Sequence, residues 1–550
     1  MIKALPMGVQ DYKTLKENNK YYVVDKTLMI QEFLDRKSIV TLITRPRRFG
    51  KTLNMSMMAE FFDVTKDSKE LFKDTQIMKT EYASQINQYP TIFISFANAK
   101  GDALSIARII KKNFLNLYQI NQKVFDNLDR FDKPIFENIM DDLTKLNNND
   151  LDCIDDALSF LMKQMERYYG KKVMVFIDEY DTPFIEAHVQ GFYEEIRNHL
   201  SNMLHNALKI STSLQYAMLT GIQRVAKENV FSGLNNLVVC TVKDDEYAEY
   251  FGFSVDETKH LLEYYDLSLN DTVKRMYDGY RFGNREIYNP WSLIHYAYRR
   301  KLDFYWINTS SNKMIKKAMS TRDKSFNQGY EKLIQTGFLE TIVRMETSFF
   351  EVGTTASLWG LFINAGYLTI KDIISTIDGR YVISIPNQEV YQEFRSLTAY
   401  YLNVSETDLS DLFNALLYDD REEFEEKYKN ILLKIPSYHD LKDESSYHTL
   451  FLGMCAWLSY RYEIISNKEV GKGRCDIILK AKEDITSYVL EFKYLNSNNL
   501  VTKEQLKKAS REAIDQIEAK QYGINLTGHV IYIGLAHYKK EVEIEWKYAK

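Results

Sequence analysis

The sequence has few prolines, few cysteines and no long hydrophobic run, and each shortage excludes a class of protein. Only 8 of the 550 residues are proline, and we find no low-complexity linker or internal repeat, so a globular chain is predicted throughout. The longest apolar run, Leu450 to Leu458, is about half the length that a bilayer span requires. No apolar segment follows a basic start at the N-terminus, which argues against a signal peptide.

The cysteines and the net charge limit the compartment and the partners. Cys153, Cys240, Cys455 and Cys475 are scattered without the paired spacing of a metal site, and this usage suits a reducing compartment. The formal net charge is −5, so no global basic charge indicates nucleic acid, although a groove can be basic on an acidic protein. We therefore expect a cytoplasmic protein with no membrane partner. The sequence leaves room for a homo-oligomer.

The chain is long enough for roughly two to four domains, and its first part alternates strands with helical patterns. This alternation predicts an α/β domain with a mostly parallel sheet over residues 1–245. The residues before the first strand could form a plain lid on the sheet, or place an aromatic ring near an adenine. The predicted strands are 39–43, 90–96, 173–177 and 214–221, and the helical patterns are 53–62 and 103–167.

One strand–loop–helix stretch has the layout of a phosphate-binding loop. A triphosphate needs several N–H donors in a small concave space, and a helix N-terminus supplies them with a favourable dipole. Gly50 would let the backbone approach the phosphates, Lys51 would reach the β- and γ-phosphates, and Thr52 would offer its hydroxyl to Mg²⁺. The predicted nucleotide-binding residues of this loop are Arg45, Pro46, Arg47, Arg48, Phe49, Gly50, Lys51 and Thr52.

The loop departs from the standard pattern at one position. The pattern G-x-x-x-x-G-K-[ST] begins with glycine, where this chain has Arg45, and the fixed φ of Pro46 could shape the turn instead. Taken alone, the stretch also fits an ordinary basic loop between a strand and a helix.

A second strand supplies the acidic half of a nucleotide site. The apolar residues 173–177 are followed directly by Asp178 and Glu179. A carboxylate at the carboxyl end of a strand is where Mg²⁺ bridging phosphate oxygens would be held. We predict that Asp178 holds Mg²⁺ and that Glu179 orients or deprotonates the attacking water. The conjunction of this strand with the upstream loop predicts ATP binding.

Two further residues are candidate nucleotide contacts. Thr220 ends the fourth predicted strand, where ligands gather in parallel sheets, and Arg224 could reach a γ-phosphate from there. Equally, Thr220 could cap a helix and Arg224 could form a surface ion pair. The sequence does not choose between these readings.

Residues 441–550 carry a second constellation of charged side chains. The stretches 474–480 and 488–493 alternate as strands around a short polar loop, which predicts a hairpin. A symmetric hairpin pairs Asp476 with Glu491, with Cβ atoms roughly 4.5–5.5 Å apart. Lys493 lies two residues further along and therefore on the same face. The opposite face is predicted to enter a core through Cys475, Ile477, Leu479, Leu490 and Phe492.

This face has the chemistry of a metal-dependent phosphodiesterase. Asp476 and Glu491 would share Mg²⁺, with Mn²⁺ as the alternative, while Lys493 positions the nucleophile or offsets developing charge. Two like charges placed opposite each other destabilise an ordinary hairpin, so a functional pair is the better explanation. A slip of one residue in the register would remove the argument.

Neighbouring residues extend the predicted site. Glu444 could add a carboxylate to the metal, whereas His448 is more often a structural group than a ligand. Gln516 lies beside the apolar stripe of a helix over about 502–521, where its amide could bind a water or a phosphate. Four cations on that helix could meet DNA phosphates, although a charged outer face is commoner; they are Lys503, Lys507, Lys508 and Arg511.

The middle of the chain is predicted to be mainly helical. A hairpin over 367–385 follows the helices, which suggests a lid with a winged-helix-like piece that packs on the nucleotide domain rather than on DNA. Residues 405–433 are rich in acidic side chains and are expected to be a solvated connector. The predicted divisions are therefore 1–245, 246–404 and 405–550, the last being an α/β domain with its connector.

Taken together, these motifs resemble those of a bacterial AAA-ATPase-like family in which a C-terminal PD-(D/E)XK nuclease domain commonly follows. The basic phosphate loop with arginine in place of the first glycine is similar to that family's own version. The resemblance covers nearly the whole chain. It implies a nucleotide-hydrolysing switch and an α/β restriction-endonuclease-like fold for the C-terminal domain within 405–550. The segments that carry it are 23–27, 45–52, 176–181, 219–221, 231–237, 277–282, 288–292, 473–476 and 491–493.

Two functional hypotheses follow. The first is a metal-dependent nuclease acting on nucleic acid, with DNA expected, whose activity is regulated by the nucleotide state of residues 1–245. The alternative is an ATP-driven signalling or assembly switch whose nuclease-like domain binds nucleic acid or protein without cleaving. A structural relic without either activity is disfavoured by the intact acidic and lysine positions.

Overall fold

The computed structural model describes residues 2–224, 235–306, 313–320, 323–346, 353–402, 404–434, 444–458, 461–483, 485–496 and 500–549. Its chain divides into two compact units. The first comprises Met1–Thr321 with Glu340–Val390, and the second comprises Arg322–Leu339 with Tyr391–Lys550. Four residues of the predicted family motif at 231–237, namely 231–234, lie outside the described residues.

The first unit is built around a parallel sheet of five strands. The order is β2–β3–β4–β1–β5, so the strand that leads into the phosphate loop lies between β4 and β5. All residues of β1 and β3 are buried, as expected where helices cover both faces of a parallel sheet. The strands are Val40–Thr44 (β1), Thr91–Ser95 (β2), Val173–Asp178 (β3), Leu214–Gly221 (β4) and Leu237–Cys240 (β5).

The helices around this sheet begin and end at local signals in the sequence. The helix that opens at Ala103 is capped by Asp102, whose carboxylate accepts from the Ser105 N–H, and the helix that closes at Tyr169 ends on left-handed Gly170. The helices are Tyr12–Lys16 (α1), Leu28–Arg36 (α2), Lys51–Phe62 (α3), Lys69–Phe72 (α4), Ala103–Ile120 (α5), Asp132–Thr144 (α6), Ile154–Tyr169 (α7), Thr182–Gln190 (α8) and Tyr193–His205 (α9).

The middle of the chain is mainly helical with two short sheets. The sheet β6–β8–β7 follows the nucleotide domain, and the predicted hairpin is confirmed as β10–β11, with β9 beside β11. The elements are Phe253–Ser254 (β6), Val255–Tyr264 (α10), Asp271–Tyr277 (α11), Tyr280–Phe282 (β7), Arg285–Tyr288 (β8), Pro290–Arg299 (α12), Lys313–Met319 (α13), Lys324–Thr336 (α14), Phe338–Ile342 (β9), Thr355–Ala365 (α15), Thr369–Ser375 (β10), Arg380–Ser384 (β11) and Gln388–Leu402 (α16).

The second unit contains a mixed sheet in the order β12–β13–β14–β15–β16. The pair β14–β15 is parallel and the other three pairs are antiparallel. The elements are Glu406–Leu417 (α17), Arg421–Lys434 (α18), Glu444–Cys455 (α19), Tyr462–Val470 (β12), Gly473–Ala481 (β13), Ser487–Tyr494 (β14), Lys503–Lys520 (α20), Val530–Tyr538 (β15) and Glu541–Tyr548 (β16).

The prediction of a solvated connector over 405–433 is wrong. The acidic residues of α17 and α18 do face water, but the apolar residues recur at helical spacing and enter the core of the C-terminal sheet. Leu412 and Phe413 of α17, with Phe424 and Tyr428 of α18, are at most 1 % exposed. These helices therefore form one covering layer of the sheet, because the sheet needs an apolar partner on that face.

The predicted fold class is confirmed: a parallel-sheet α/β domain, a helical middle and a C-terminal α/β domain with a mixed sheet. Within the described residues, no helix combines the length and the apolar character that crossing a membrane demands. The middle region 246–404 falls mostly within the first unit. The three-part division of the chain by function stays a prediction.

Candidate active sites

The phosphate loop presents free N–H groups at the start of α3. Arg48 and Gly50 have φ values of 68° and 85°, and this left-handed backbone lets the chain curl between β1 and α3. Within the described residues, the N–H groups of 50–53 donate no hydrogen bond. A row of unpaired N–H groups at a helix N-terminus is suited to an anion.

Lys51 lies buried under the same loop. Its Nζ donates to the carbonyl oxygens of Arg45, at 3.0 Å, and Pro46, at 2.8 Å. Burial lowers the pKa of this ammonium group, and the carboxylates of Glu179 and Asp178 oppose that shift. Two carbonyl groups thus hold the ammonium group at the loop. A bound phosphate could replace them as its hydrogen-bond partner.

Asp178 is the centre of a hydroxyl network at the carboxyl edge of the sheet. Its Oδ2 accepts from Thr52 at 2.8 Å and from Ser95 at 3.1 Å, and its Oδ1 accepts from Thr220 at 2.8 Å. Burial, followed by the nearby Glu179, raises the pKa of the Asp178 carboxyl. The structure thus brings together Thr52, Asp178 and Thr220 from α3, β3 and β4. Ser95 belongs to the same network and was missed in the sequence, although it lies near the end of a predicted strand.

Glu179 follows Asp178 in a left-handed conformation, with φ of 49°. Such a backbone is uncommon outside glycine and is worth a functional explanation. Its Oε2 accepts from the Thr182 hydroxyl at 3.0 Å, and the residue is half-buried at the edge of the sheet. The carboxylate is therefore turned away from the strand direction and held in place by the first turn of α8.

The side chain of Arg45 is directed away from the phosphate-binding space. Its guanidinium is fully buried and donates to the carbonyl oxygens of Thr44, Cys240 and Glu246 at 3.0–3.2 Å. Burial lowers the pKa of this group to about 10. The position that usually holds the first glycine thus carries a structural arginine, and only its backbone belongs to the loop. A sequence pattern cannot reveal the direction of that side chain.

The outer side of the loop is braced by the middle region of the same unit. Phe49 is fully buried, with its ring 4.9 Å from that of Tyr280, and Arg48 lies over the ring of Trp291 at 4.2 Å. The indole N–H of Trp306 donates to the Arg47 carbonyl at 3.1 Å. These contacts fix residues 47–49 of the loop and leave the N–H groups of residues 50–53 free. Tyr280 and Trp291 lie in segments that carry the family resemblance, but their contacts with the loop were not predicted, and Trp306 lies in no motif.

Gly366 brings the chain into close contact with the loop. It has φ of +89°, and a Cβ built on it would lie 2.8 Å from the Cβ of Pro46. Pro46 is therefore packed against backbone, which fixes the turn where the usual glycine is missing. No larger residue fits at position 366 without moving the loop.

Asp181 joins the ends of β3 and β4. Its Oδ2 accepts from the N–H groups of Ile222 and Gln223, both at 2.8 Å, and a Cβ on Gly221 would lie 2.7 Å from its Oδ1. Burial raises the pKa of this carboxyl to about 6. Arg224 follows directly, and its Nε is buried without a hydrogen-bond partner among the described residues. The contact of Asp181 with these two N–H groups was missed in the sequence. It fixes the backbone directly before Arg224.

The hairpin register in the second unit agrees with the sequence. Ile477 pairs with Leu490 and Leu479 with Tyr488, so the next position outward brings Asp476 opposite Glu491. There the ladder gives way to a side-chain contact, since the Phe492 N–H donates to Asp476 Oδ2 at 2.8 Å. Both carboxylates are therefore held at the same end of the hairpin.

Glu491 is a buried acid with an incomplete set of partners. It is 2 % exposed, its Oε1 accepts from the Gln516 amide, and Lys493 Nζ lies 3.6 Å from the same oxygen. Its Oε2 is buried and has no hydrogen-bond partner within the described part of the chain. Burial, followed by the charge of Asp476, raises the pKa of Glu491 to about 8.

The remaining predicted residues surround this acid. Gln516 reaches it from α20, and Glu444, at the start of α19, is near enough for its charge to raise the pKa of Glu491. His448 is buried, and its Nε2 lies 2.9 Å from Ser466 Oγ and 3.1 Å from the Asp476 carbonyl. That environment matches the structural role predicted for the histidine. Tyr522 was missed in the sequence; its hydroxyl lies 3.5 Å from the Gln516 amide.

The donor set fits a hard divalent cation. Carboxylate oxygens are the preferred ligands of Mg²⁺ and Mn²⁺, and the orphaned Oε2 of Glu491 is the atom that most needs a cation. In the described ranges, no group of three or more histidine, cysteine or acidic side chains is assembled as a ready metal cage. Mg²⁺ often binds through only one or two carboxylates and keeps several waters, so this arrangement is compatible with Mg²⁺.

One expectation about the surroundings is wrong, and one of two open alternatives gains support. Cys475 packs with Ile478 and Val489 on the α20 side of the sheet and not in the core cluster that contains Ile477. On α20, several cations already have acidic neighbours: Lys503 lies 3.5 Å from Glu543, and Arg511 lies 3.5 Å from Glu545. These pairs favour the charged outer face over a dedicated phosphate contact.

Comparison with family models agrees with both sites. Residues 6–231 match a family described as predicted AAA-ATPase, and residues 442–547 match the PD-(D/E)XK nuclease superfamily. The chain carries an AAA-ATPase-like domain and a PD-(D/E)XK nuclease superfamily domain. The first match contains the phosphate loop, Asp178 and Thr220. The second contains the four residues gathered at the hairpin end, which are Asp476, Glu491, Lys493 and Gln516.

A curated relative matches much of the chain, and its name states no activity. An uncharacterized protein in the vnfD 5′ region of Azotobacter chroococcum mcd 1 is 28 % identical over 392 residues. The alignment spans 70 % of this chain and 68 % of the relative. The AAA-ATPase-like and nuclease superfamily domains therefore suggest ATPase and nuclease activity on the strength of their families.

Proposed function

We propose that this protein is a metal-dependent nuclease, acting on DNA, whose activity is regulated by ATP bound to the AAA-ATPase-like domain. The single observation that carries the proposal is the buried Glu491 with an orphaned oxygen beside Asp476 and Lys493. A buried carboxyl with a strongly raised pKa and unused ligand capacity is costly in a purely structural hairpin. Its proximity to a lysine and a second acid is the arrangement that phosphodiester hydrolysis needs.

The nuclease chemistry would be divided among four side chains. Asp476 and Glu491 would hold Mg²⁺ or Mn²⁺, which when bound lowers the pKa of water and offsets charge on the phosphate. Lys493 would position the attacking water or neutralise charge on the phosphate oxygens. Gln516 donates to Glu491 Oε1, so it would fix that carboxylate with Oε2 free for a ligand. In hydrolysis, water adds to phosphorus, the P–O ester bond breaks and the leaving oxygen takes a proton.

The nucleotide chemistry would use the edge of the parallel sheet. The free N–H groups of 50–53 would receive phosphate oxygens, and Lys51 would exchange its carbonyl partners for them. Thr52 and Asp178 are already in contact at 2.8 Å and would hold Mg²⁺ together. Glu179 would orient the attacking water, and Thr220 and Arg224 would approach the γ-phosphate. The oxygens and hydroxyls gathered around Asp178 support this assignment.

The proposed regulation is supported by a series of hydrogen bonds that connects the phosphate loop, through Trp306, with the start of α16. Trp306 donates its indole N–H to the Arg47 carbonyl, and its backbone N–H donates to Glu389 Oε1 at 2.6 Å. Glu389 is 1 % exposed, also accepts from Ser292 Oγ at 2.7 Å, and lies in the first turn of α16. That helix begins in the first unit and continues into the second. A shift of the loop on ATP binding would therefore be passed to the start of α16.

Cleavage assays on supercoiled and linear DNA test the proposal. The full chain is incubated with Mg²⁺ or Mn²⁺, with and without ATP. We expect metal-dependent cleavage that responds to ATP and is lost in Asp476→Asn and Lys493→Ala. Lys480→Ala is the matched control, because Lys480 lies exposed on the neighbouring strand β13 away from this cluster. Lys51→Ala should abolish the response to ATP.

Two outcomes would contradict separate parts of the proposal. Absence of cleavage under every condition, with ATP turnover that depends on Lys51, would reject the nuclease and leave the non-cleaving ATP-driven switch. An unchanged nucleotide affinity in Lys51→Ala would reject the phosphate-loop assignment whatever the DNA result.

A further inference from the structure

A groove lies along α6 and α7 of the first unit. It consists of two cavities, of about 820 Å³ and about 450 Å³, and both are lined by Ile135 of α6 and Asp156 of α7. Because the cavities share these side chains, they form one continuous trough, which we call the α6–α7 groove. Its other walls include residues 152–153 before α7 and residues 210–213 after α9. Pockets for single small ligands occupy about 300–1,000 Å³, so the two cavities together offer room for a larger ligand.

Exposed apolar side chains accompany this groove. The inward face of α6 enters the core of the parallel sheet through Ile139 and Leu143, which are at most 5 % exposed. Phe131 and Ile135 lie four residues apart and therefore share another face, where they are 68 % and 45 % exposed. Ile210, which is 62 % exposed, lines the same groove from the segment after α9. Neighbouring exposed apolar side chains, unlike single ones, are typical of a surface that contacts another molecule.

The charges that line the groove are almost all negative. The smaller cavity contributes one cation, Lys163, whose Nζ already donates to the buried carboxylate of Asp132 at 2.7 Å. The lining of the larger cavity contains five acidic side chains and neither lysine nor arginine. These acids are Glu137, Asp141, Asp142, Asp152 and Asp156.

The chain itself offsets only part of this negative charge. Lys145 forms exposed ion pairs of 2.6 Å with Asp141 and 2.9 Å with Asp142, and such pairs contribute little free energy and exchange readily. Among the residues that the structure describes, Glu137 has no ion-pair partner, and Asp156 accepts only from a neutral amide, at 3.0 Å. The groove therefore combines an apolar surface with acids that lack cations of their own.

We infer that the α6–α7 groove is a docking site for a helical segment of a partner protein, apolar on one face and rich in lysine or arginine beside it. Such a helix would place apolar residues spaced by three or four positions against Phe131, Ile135 and Ile210. Its cations would lie beside the acids of the groove, which would also attract it from solution. This inference goes beyond the proposed function and does not depend on it.

The charges of this chain favour a different protein over a second copy as the occupant. Among its described helices, α20 is rich in cations, but two of them already lie beside acids: Lys503 is 3.5 Å from Glu543, and Arg511 is 3.5 Å from Glu545. A copy of α20 would thus bring acids as well as cations to an acidic groove. Nucleic acid is disfavoured for the same reason, since its phosphates would face carboxylates.

Fluorescence anisotropy with the full chain tests this inference, using labelled synthetic peptides of about 18 residues, or about five helical turns. One peptide contains leucine and lysine in amphipathic helical order, a second has the same composition in scrambled order, and a third carries glutamate in place of lysine. At physiological salt we expect the amphipathic cationic peptide to bind at least about tenfold more tightly than the scrambled one, and the acidic peptide not to bind. Hydrogen exchange should slow in α6 when the first peptide is bound.

Two exposed positions of the groove allow matched variants that leave the core intact. Ile135→Arg removes an apolar contact and adds a like charge, so it should weaken binding of the amphipathic cationic peptide by at least about tenfold. Ile377→Arg is its control, because Ile377 is 96 % exposed in the β10–β11 hairpin and lies outside the groove. Glu137→Lys should weaken the same binding by about threefold to tenfold. Its control is Glu81→Lys, an exposed acid between α4 and β2.

Three outcomes would overturn this inference. Equal affinities of wild-type protein for the amphipathic and the scrambled peptide would show attraction by charge alone, and that comparison does not depend on any variant folding. Binding of wild-type strength in Ile135→Arg would place the peptide elsewhere. A dimer in light scattering that Ile135→Arg dissociates and Ile377→Arg does not would show that a second copy of this chain covers the groove.

Discussion

At the scale of single residues, the surroundings of a buried charge differ more than its burial does. Arg45 and Lys51 are both buried basic residues of one loop and both donate to carbonyl oxygens, yet only Lys51 lies beside free N–H groups of the loop. Glu491 is equally buried, but one of its oxygens lacks a partner among the described residues. Burying a charge costs free energy at all three residues. At Arg45 protein carbonyl groups offset that cost, whereas Lys51 and Glu491 lie where a bound ligand could offset it.

The raised pKa of Glu491 makes metal binding depend on pH. Its folded-state pKa of about 8 lies above the ordinary value of 4.5, so the metal-free protein keeps a proton there that a cation must displace. We expect Mn²⁺ affinity to rise by up to about tenfold per pH unit between about pH 6 and 8, then to level off. Calorimetry in buffers of different ionisation enthalpy measures the proton released. Affinity independent of pH would contradict this assignment.

The same shift has a consequence for stability in the absence of metal. Between about pH 4.5 and 8 the folded state binds more protons at Glu491 than the unfolded state, so this group lowers stability as the pH rises through that range. Glu491→Gln should reduce this loss of stability with rising pH. Thermal unfolding of the metal-free protein at several pH values measures it, with Glu483→Gln, an exposed acid in the same hairpin's loop, as the control.

Arg45 and Arg47 should behave in opposite ways when replaced. Arg45→Met leaves three buried carbonyl groups without their donor, so we expect a loss of about 2–4 kcal/mol in the free energy of unfolding. Arg47 is half-buried, so Arg47→Met should change stability by less than about 0.5 kcal/mol. Denaturant titrations followed by circular dichroism compare the two variants. Equal stabilities would show that the Arg45 guanidinium has no structural role.

At the scale of elements, the nucleotide edge depends on how the ends of neighbouring strands are tied together. Asp181, just after β3, binds the two N–H groups after β4, and Gly221 leaves the space that this contact needs. In the second unit, the ladder between β13 and β14 stops at Ile477, and Asp476 accepts from the Phe492 N–H beyond it. In both places a carboxylate binds backbone N–H groups where regular strand pairing stops, and candidate site residues lie beside it.

Gly221→Ala tests the tie between β3 and β4. The new Cβ would lie 2.7 Å from Asp181 Oδ1 and 2.8 Å from Tyr180 Cε1, so the segment carrying Arg224 must move. We expect ATP turnover to fall by at least about tenfold, with a smaller change in ATP affinity. Gly50→Ala is the contrasting variant, since it has open space but a φ of +85°, and it should weaken affinity through the loop. Unchanged turnover in Gly221→Ala would contradict the tie.

At the scale of the whole molecule, the two candidate sites lie in different compact units, and helix α16 begins in the first unit and continues in the second. Glu389 anchors the start of this helix to Trp306 and Ser292 behind the phosphate loop. Regulation then requires no direct contact between the two sites. The proposed regulation requires only that the loop adopts two conformations and that the start of α16 moves with the loop.

Glu389→Ala should uncouple nucleotide from cleavage. Without the carboxylate, the Trp306 N–H loses its acceptor and α16 loses its link to the loop. We expect the ratio of DNA cleavage rates with and without ATP to approach one, while ATP affinity changes by less than about tenfold. Glu422→Ala, on the exposed face of α18, is the control. An ATP response of wild-type size in Glu389→Ala would contradict this route.

The sequence by itself determined the positions where chemistry is placed along each element. An apolar run followed by glycine, lysine and threonine specifies a strand, a curled loop and a helix start, because each step depends only on local backbone preferences. The symmetric loop after Ala481 likewise set the hairpin register, which brings Asp476 towards Glu491. Such features follow from neighbours in the chain and need no knowledge of what packs against them.

Only the tertiary structure decided the direction and the surroundings of those side chains. The turn of Arg45 into the core, the packing of α17 and α18 on the C-terminal sheet, and the contact of Trp306 with the loop all depend on residues far away in sequence. The raised pKa of Glu491 has the same origin. Burial is a property of the assembled fold, so electrostatic cost and ligand space appear only once distant elements enclose them.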